Sequence, residues 1–319
     1  MKKFFITLTV NILIFLFLLF LIEVGIWVWE NEVLRRNNDF FRQKGLLKFH
    51  QGIKTFNLDP RYFPTPENGW GRAPEGLEFK SKPIVFYGCS FTYGMNLEKE
   101  QTLPYKIAYL TKRPTYNRAY LAWGVQHMLY QTRLEEIYSQ IPEPEYAIYT
   151  MMHDHFRRLY IITFMRGQML NEDFNLRYKE KNGKLYEIKH KNHIYNFIKR
   201  LYITNVLYNF YIEKIKLRPE NGEEYTNFAM KHFVESKEEM QKHWKNTKYV
   251  VYFYDYEQNY DLLKSKLEKE NFIIIDNKDL TQEDLTTEKY MFADYHPKEA
   301  AWDLLTPKII KELGLKWKN

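Results

Sequence analysis

Two short segments of the chain carry side chains that could act together as a nucleophile and a base. The segment 88–94, which reads GCSFTYG, follows an apolar run and contains Ser90. The segment 293–297, which reads ADYHP, contains His296 with Asp294 two residues before it. An imidazole can accept the proton of a serine hydroxyl, and a nearby carboxylate can orient the ring. The pattern therefore indicates nucleophilic catalysis by Ser90, with His296 as general base and Asp294 as the orienting group.

The same residues also have simpler structural interpretations. A serine between a strand and a helix often caps the helix, and a histidine in a loop is often only a surface residue. Cys89 is the only cysteine, so it forms no disulfide within the chain. It is either a second candidate nucleophile or a small buried residue. What favours catalysis is the combination of Ser90 after the first strand, His296 in the last loop and an α/β pattern between them.

The elements that must position these residues alternate between strands and helices. Apolar runs predict strands at 83–88, 115–121, 146–152, 248–254 and 272–276. Helical patterns predict helices at 103–112, 125–139, 227–245, 260–270 and 297–313. The alternation predicts an α/β fold, a three-layer α/β/α sandwich around a five-stranded, mostly parallel sheet. Ser90 would then lie at the carboxyl end of the first strand, where open α/β sheets bind ligands.

Two stretches lie outside this alternation. Residues 31–82 include many Pro and Gly residues without helical or strand periodicity, and we interpret them as a connector. Between the third and fourth strands, about ninety residues include an Asn182-Gly183 hairpin signal and an aromatic helical pattern near 194–215. We interpret about 158–246 as a cap inserted into a domain that spans 83–319.

Composition limits the classes of function. The net charge of +7 comes from 47 Lys and Arg residues against 40 Asp and Glu residues, spread along the chain without a basic stripe. No nucleic-acid partner is therefore expected. Cys and His residues form no cluster with the spacing of a zinc site, so neither a metal nor another cofactor is expected. The aromatic content of 18% favours a large core and stacking surfaces for sugars or a membrane. Protein partners are not indicated.

Together, these segments resemble the SGNH (GDSL-like) hydrolases, in particular a membrane-associated branch whose first block reads G-C-S-F-T-x-G. The resemblance covers residues 80–313 in scattered blocks and implies an SGNH fold with a flavodoxin-like sheet. It also implies that Ser90 is the nucleophile and that Asp294 and His296 complete the triad. Two departures from the family pattern are Cys89, where the family has the Asp of G-D-S, and a D-x-H last block instead of D-x-x-H. The shorter spacing resembles polysaccharide O-acetyltransferases, such as those acting on alginate.

The second block resembles residues 117–124, which read NRAYLAWG. Asn117 matches the Asn of the family's N-x-x-x-x-G, and the Gly five residues later is replaced by Ala122. The family uses a backbone N–H at that position to stabilise the oxyanion, so the resemblance implies Ala122 as a donor. Gly124 is a nearby substitute, or only the start of a helix.

The third block departs furthest from the family. After the third strand the family has an Asn that completes the oxyanion hole, whereas this chain reads HDHFRR over 153–158. Asp154 would repel an oxyanion. Either His153 or His155 donates instead, or Arg157 compensates, or oxyanion stabilisation is weaker. A metal site in the His-Asp-His segment is a competing interpretation, but no further ligand is identifiable.

The amino-terminal segment is long and apolar enough to cross a membrane. Residues 4–21 contain no charged side chain, and a helix of this length spans about 27 Å. Trp27 and Trp29 follow and would suit the membrane interface. The pattern predicts a single transmembrane signal anchor over 1–30. The alternative is a cleaved signal peptide, although no small-x-small cleavage site follows the apolar stretch.

Two sequence signals for the orientation of this anchor disagree. Lys2 and Lys3 precede the span, and five basic residues between 35 and 48 follow it, which mildly opposes export by charge counting. A short tail with two lysines nevertheless resembles a bacterial signal anchor. With the family resemblance, it leads us to expect the large domain in the periplasm or outside the cell.

These features predict a membrane-anchored serine esterase or O-acyltransferase. Its substrate would be an ester, such as an acetyl ester, of a cell-envelope glycan or lipid, and its intermediate would be acyl-Ser90. The alternative is a non-catalytic glycan-binding or assembly protein on a degenerate SGNH scaffold, which the altered second and third blocks would suit.

Overall fold

The computed structural model describes residues 7–15, 17–25, 81–120, 123–160, 176–188, 210–211, 214–215, 217–218, 221–255, 260–278, 285–293 and 295–317. The chain divides into two compact units. The described residues of the smaller unit are the amino-terminal helix and residues 210–211. Those of the larger unit contain the sheet, its covering helices and the candidate site.

The strands of the larger unit form one main sheet and one hairpin. In chain order they are β1 (Ile84–Tyr87), β2 (Thr115–Asn117), β3 (Tyr146–Met151), β4 (Tyr178–Lys181), β5 (Lys184–Glu187), β6 (Lys248–Phe253) and β7 (Ile273–Asp276). The main sheet has the order β2-β1-β3-β6-β7, and all its pairings are parallel. Because the chain moves outward in opposite directions from β1, the carboxyl ends of β1 and β3 flank the switch point where doubly wound sheets bind ligands.

Helices cover both faces of this sheet. In chain order the helices are α1 (Thr7–Gly25), which belongs to the smaller unit, and, in the larger unit, α2 (Ser90–Tyr93), α3 (Leu103–Thr111), α4 (Val125–Thr132), α5 (Glu135–Gln140), α6 (Asp154–Tyr160), α7 (Gly222–Gln241), α8 (Tyr260–Lys269) and α9 (Glu299–Glu312). Successive side chains of a strand point to opposite faces. Ile84 and Phe86 accordingly join the core built by α3 and α9, whereas Val85 and Tyr87 join the core built by α4, α7 and α8.

The predicted α/β fold with a five-stranded parallel sheet is confirmed, and the differences are at element boundaries. The helix predicted over 125–139 is two helices, α4 and α5, which are separated at residues 133–134. The helix predicted to begin at Pro297 begins at Glu299. Pro297 instead forms an antiparallel bridge with Met291, so it belongs to the loop that precedes the helix.

The Asn182-Gly183 hairpin signal corresponds to the antiparallel pair β4–β5. Asn182 and Gly183 have φ angles of 52° and 77°, the left-handed pair that a two-residue hairpin turn requires. The hairpin is fixed to the sandwich by Glu235 of α7, which accepts a hydrogen bond from the Leu185 N–H and forms an ion pair with Arg133.

The cap over about 158–246 remains a prediction. Residues 161–175 and 189–209, which include most of the expected aromatic helix, lie outside the described residues. At the other end of this stretch, α7 packs in a layer of the sandwich, where Ala229 and Phe233 are fully buried.

The helix α1 has the length and composition of a membrane span, and none of its most apolar window is buried. A signal sequence has the same properties. Trp27, Trp29 and the predicted connector up to residue 80 lie outside the described residues.

If α1 is an anchor, the full-length protein should stay in the membrane fraction after a high-salt or carbonate wash, because its apolar side chains are stable only in lipid. A variant beginning near Asn31 should be soluble, and a reporter fused after Asn319 should show an exported location. Soluble wild-type protein cut near Trp29 would instead identify a signal peptide. A cytoplasmic reporter signal would reverse the orientation.

Candidate active site

Ser90 lies where β1 ends and the chain turns into α2. The turn requires Gly88, which has a φ of 154°, and a Cβ added there would lie 2.6 Å from Thr92 Oγ1. The short helix ends at Gly94, which has a φ of 89° and donates its N–H to the Ser90 carbonyl at 3.0 Å. Ser90 is therefore held in a tight turn at the carboxyl edge of the sheet, with a residue exposure of 5%.

The loop before α9 brings a histidine to this serine. His296 Nε2 lies 2.9 Å from Ser90 Oγ, although the residues are 206 positions apart. A neutral imidazole with its proton on Nδ1 can accept the hydroxyl hydrogen at Nε2. The His296 ring also packs edge-on against Phe91, with ring centroids 5.5 Å apart. Ser90 and His296 thus have the geometry of a nucleophile and its general base.

Two further residues of the predicted site, Asp294 and Ala122, lie outside the described residues. Their roles as orienting carboxylate and oxyanion donor remain predictions. Among the described neighbours, Ala293 and Tyr295 flank the position of Asp294 in the same loop as His296.

The second block braces the turn that contains Ser90. Asn117 donates its side-chain N–H to the Thr92 carbonyl at 2.9 Å and accepts the Ala119 N–H at 3.1 Å. The N–H of Gly124, at the start of α4, donates to His127 Nδ1 at 3.0 Å. Since that N–H is already used, Gly124 could stabilise an oxyanion only by giving up its bond to His127.

The third block is connected to the second block by charge-assisted hydrogen bonds. Asp154 accepts from Arg157 Nε at 2.6 Å and from Arg158 Nε at 2.5 Å. Arg158 also donates to the Trp123 carbonyl at 2.7 Å, and its own carbonyl accepts from the Gln126 side chain at 2.9 Å. These bonds join α6 to the chain that follows the expected oxyanion donor.

The charge on Asp154 is balanced within this cluster. Burial would raise the pKa of its carboxyl group, but Arg158 and Arg157 hold the pKa at about 2. Asp154 is therefore ionised at neutral pH and paired with two guanidinium groups. This pairing offsets the repulsion that its carboxylate would exert on a nearby oxyanion.

The two histidines of this block occupy different environments. His153 is exposed, and its backbone N–H donates to Asp255 Oδ2 at 3.0 Å. His155 is fully buried, with Nδ1 2.8 Å from the Tyr149 hydroxyl, and burial holds its pKa well below the ordinary value. Within the described part of the chain, no group of three or more His, Cys, Asp or Glu residues could hold a metal ion.

Several supporting residues were not identified from the sequence. Phe91 packs on Tyr254, with ring centroids 5.0 Å apart. Phe91 therefore connects the His296 ring to the buried Tyr254. Asp255 follows β6 and accepts hydrogen bonds from the His153 N–H and the Tyr260 hydroxyl. Burial raises the pKa of Asp255. The signal available for Asp255 was an acidic residue just after an apolar run, at the same edge of the sheet as Ser90.

Cys89 is oriented into the core rather than toward solvent. It is fully buried, and its Sγ lies 3.3 Å from Met152 Sδ. Burial raises the pKa of the thiol, although Arg158 partly opposes this effect. Because the thiolate is the reactive form of cysteine, this environment makes Cys89 a poor nucleophile.

Comparison with known proteins gives similarity only at the level of solved structures. No protein-family model and no curated protein matches the chain. An acetyl xylan esterase from the rumen bacterium Butyrivibrio proteoclasticus is 14% identical with a TM-score of 0.45, over 75% of this chain and 66% of that chain. A member of the lipolytic G-D-S-L family from Veillonella parvula is 12% identical with a TM-score of 0.41, over 72% of this chain and 97% of that chain.

A family two carbohydrate esterase from Clostridium thermocellum, solved in complex with cellohexaose, is 10% identical with a TM-score of 0.40. That similarity covers 75% of this chain and 66% of the esterase chain. The three solved structures named here are thus a lipolytic protein and two carbohydrate esterases, at identities too low to transfer a site residue or a substrate.

The ion pair within the third block gives a prediction for stability. Replacing Asp154 with Asn leaves Arg158, whose side chain is only 11% exposed, without its counter-charge. We expect a loss of about 3 kcal/mol in the free energy of unfolding. The matched control is Arg157→Gln, which removes the guanidinium group that is 44% exposed and should cost less than about 1 kcal/mol. Equal losses in urea unfolding would contradict the assignment.

The same pair predicts a pH dependence. The pKa of Asp154 is about 2 in the folded protein, below the value of about 3.9 expected for an unfolded chain. Its stabilisation is therefore fully present above the unfolded value and is lost as the pH falls through the folded value. The stability difference between wild type and Asp154→Asn should shrink as the pH is lowered from about 5 to about 2.

Proposed function

We propose that this protein is a membrane-anchored serine esterase or O-acyltransferase that acts on an acyl ester of a cell-envelope glycan or lipid. The observation that carries the proposal is the 2.9 Å separation of His296 Nε2 and Ser90 Oγ at the carboxyl edge of a parallel sheet. The membrane component rests on α1, and the acyl chemistry rests on the serine–histidine pair.

In the proposed reaction, His296 accepts the hydroxyl proton while Ser90 Oγ attacks the ester carbonyl carbon. The resulting oxyanion accepts hydrogen bonds from the backbone N–H groups of Ser90 and Ala122. His296 then gives its proton to the departing alkoxide, so the alcohol leaves and acyl-Ser90 remains. Asp294 would accept the Nδ1–H of His296 and keep Nε2 facing the serine.

The fate of the acyl group depends on the acceptor admitted next. Water attacks the acyl carbonyl carbon while His296 accepts a water proton, and His296 then returns this proton to Ser90 Oγ as the acyl–oxygen bond breaks, which releases the acid. Attack by a sugar hydroxyl completes transfer instead. The two reactions share the acyl-enzyme, so the proposal includes both and the acceptor distinguishes them.

A second candidate is a non-catalytic glycan-binding protein on the same scaffold. It is favoured by the third block, in which Asp154 is held by two arginines and His155 is buried away from solvent. Because an unactivated serine does not react with fluorophosphonates, covalent labelling separates the two candidates. A binding scaffold should remain unlabelled.

The nucleophile is tested by a pair of adjacent substitutions. Ser90→Ala should abolish turnover of an aryl acetate and labelling by a fluorophosphonate, because the attacking oxygen is removed. Cys89→Ala is the control, and we expect it to retain most of the activity because the thiol is buried in the core. Activity that survives in Ser90→Ala but is lost on thiol alkylation would move the nucleophile to Cys89.

The orienting carboxylate is tested by Asp294→Asn. If Asp294 accepts the Nδ1–H of His296, the amide should favour the wrong tautomer and lower kcat by on the order of 10³–10⁴-fold, without a change in melting temperature. The matched control is Asp261→Asn on the exposed side of α8, where no effect on kcat is expected. An Asp294→Asn enzyme within about threefold of wild type would show that another group orients His296.

A further inference from the structure

The loop that carries His296 is a tight hairpin with an unfavourable residue at its strained position. Phe292 donates its N–H to the His296 carbonyl at 2.8 Å, and Tyr295 donates its N–H to the Phe292 carbonyl at 2.9 Å. The bridge between Met291 and Pro297 continues the pairing. Tyr295 closes this turn with a φ of 61°, in the left-handed region.

A hairpin with this three-residue connection usually places Gly at its left-handed position, and Asn is the side-chain-bearing residue that tolerates it best. A bulky aromatic residue there is an outlier, because its Cβ crowds the backbone. The turn therefore explains the backbone conformation at residue 295 but not the choice of tyrosine. The side chain must be explained by something other than the turn.

Packing in the described residues does not explain the tyrosine either. Tyr295 is 73% exposed, the highest value among the exposed large hydrophobic residues. By comparison, Tyr109 on α3 is 53% exposed and lies under the ammonium group of Lys112, 4.3 Å from its ring centroid. The Tyr295 ring thus contributes little buried area to the fold, while its backbone remains strained.

Tyr295 directly precedes His296, so its backbone adjoins the residue that acts on the leaving-group side of the reaction. His296, the next residue, has Nε2 2.9 Å from Ser90 Oγ and must give its proton to the departing alcohol oxygen. The alcohol part of any ester attacked by Ser90 therefore lies against this loop. In an acyl transfer, the accepting alcohol enters from the same side by microscopic reversibility.

The exposed residues of this loop favour a sugar over a lipid alcohol. Within residues 285–293 and 295–298, Tyr295 is the only exposed large hydrophobic residue. A lipid chain needs a contiguous apolar surface, whereas a sugar needs one flat ring for its C–H face and water for its hydroxyl groups. A lone tyrosine with an exposed rim fits the second requirement.

We propose that Tyr295 is a specificity-determining residue whose ring forms a stacking platform for the sugar that carries or receives the acyl group. This inference rests on the function proposed above and narrows its substrate class to glycan esters. The strained backbone holds the platform one residue away from the general base, so sugar binding and proton transfer share one hairpin.

The test uses the full-length protein in detergent and distinguishes the effect of the Tyr295 ring from the effect of the turn conformation. Tyr295→Asn removes the ring and keeps a residue that tolerates the left-handed conformation. Tyr295→Phe keeps the ring. Tyr109→Asn removes an exposed ring from α3, a helix that carries none of the candidate site residues, and is the matched control. Each variant is assayed for kcat and KM with a mono-O-acetylated glucoside, with ethyl acetate and with ethyl octanoate.

We expect Tyr295→Asn to lower kcat/KM for the acetylated glucoside by about tenfold more than for ethyl acetate, mainly through KM. Tyr295→Phe and Tyr109→Asn should leave that ratio within about twofold of wild type. An equal loss on all three esters would show that residue 295 acts through the position of His296. A selective loss on ethyl octanoate would show a lipid surface. Either result, or no loss, overturns the proposal.

A binding experiment tests the stacking platform independently of catalysis. The acetylated glucoside is titrated by calorimetry into Ser90→Ala and into Ser90→Ala combined with Tyr295→Asn. Weaker binding in the double variant by about tenfold supports the platform even if wild-type protein proves inactive on every ester and unlabelled by fluorophosphonate. Equal binding in the two proteins overturns the platform, whatever the catalytic result.

Discussion

The approach of His296 Nε2 to Ser90 Oγ depends on how one parallel sheet is held between two helical layers. Ser90 follows β1 at the switch point of the sheet, and His296 precedes α9, which packs on the face that Ile84 and Phe86 contribute to. The position of the base is therefore set by the fully buried Trp302, Leu305 and Ile309 of α9. A shift of α9 by about one ångström would break the contact between His296 Nε2 and Ser90 Oγ, because a hydrogen bond of this length tolerates only a few tenths of an ångström of lengthening.

A second constraint is electrostatic and acts on the segment that follows β3. Arg158 is nearly buried, and such a charge is stable only if it is paired and fully hydrogen-bonded. Asp154 supplies the countercharge, and the Trp123 carbonyl takes a further donor. Arg158 thereby connects the segment 153–158 to the segment 117–124. The chain after the expected oxyanion donor is held by a charge cluster as well as by its own turn.

The sequence predicted the strands well, because apolar runs are local signals, and the structure brings Ser90 and His296 of the predicted site together. Apolar runs with polar ends define strands, and a nucleophile after the first strand with a base before the last helix defines an edge of the sheet. Missed features depend on contacts between distant residues. Arg133, which lies between α4 and α5, binds Glu235 of α7, and Pro297 pairs with Met291 rather than opening α9. Neither partner can be identified by periodicity. The hydrogen bond from the Gly124 N–H to His127 Nδ1 joins residues that are close in sequence, but residue spacing alone does not predict the orientation of the His127 side chain.

The residues that precede the two catalytic candidates differ in burial. Cys89 precedes Ser90 and is fully buried, so a larger side chain there would have to displace core atoms around Met152. Tyr295 precedes His296 and is largely exposed, so a substitution there changes what an incoming molecule meets and little of the core. Cys89 is the N-cap residue of α2 and belongs to a core cluster, whereas Tyr295 has a left-handed φ in the hairpin before α9 and is exposed. Packing therefore constrains the residue beside Ser90, whereas the residue beside His296 is exposed to incoming molecules.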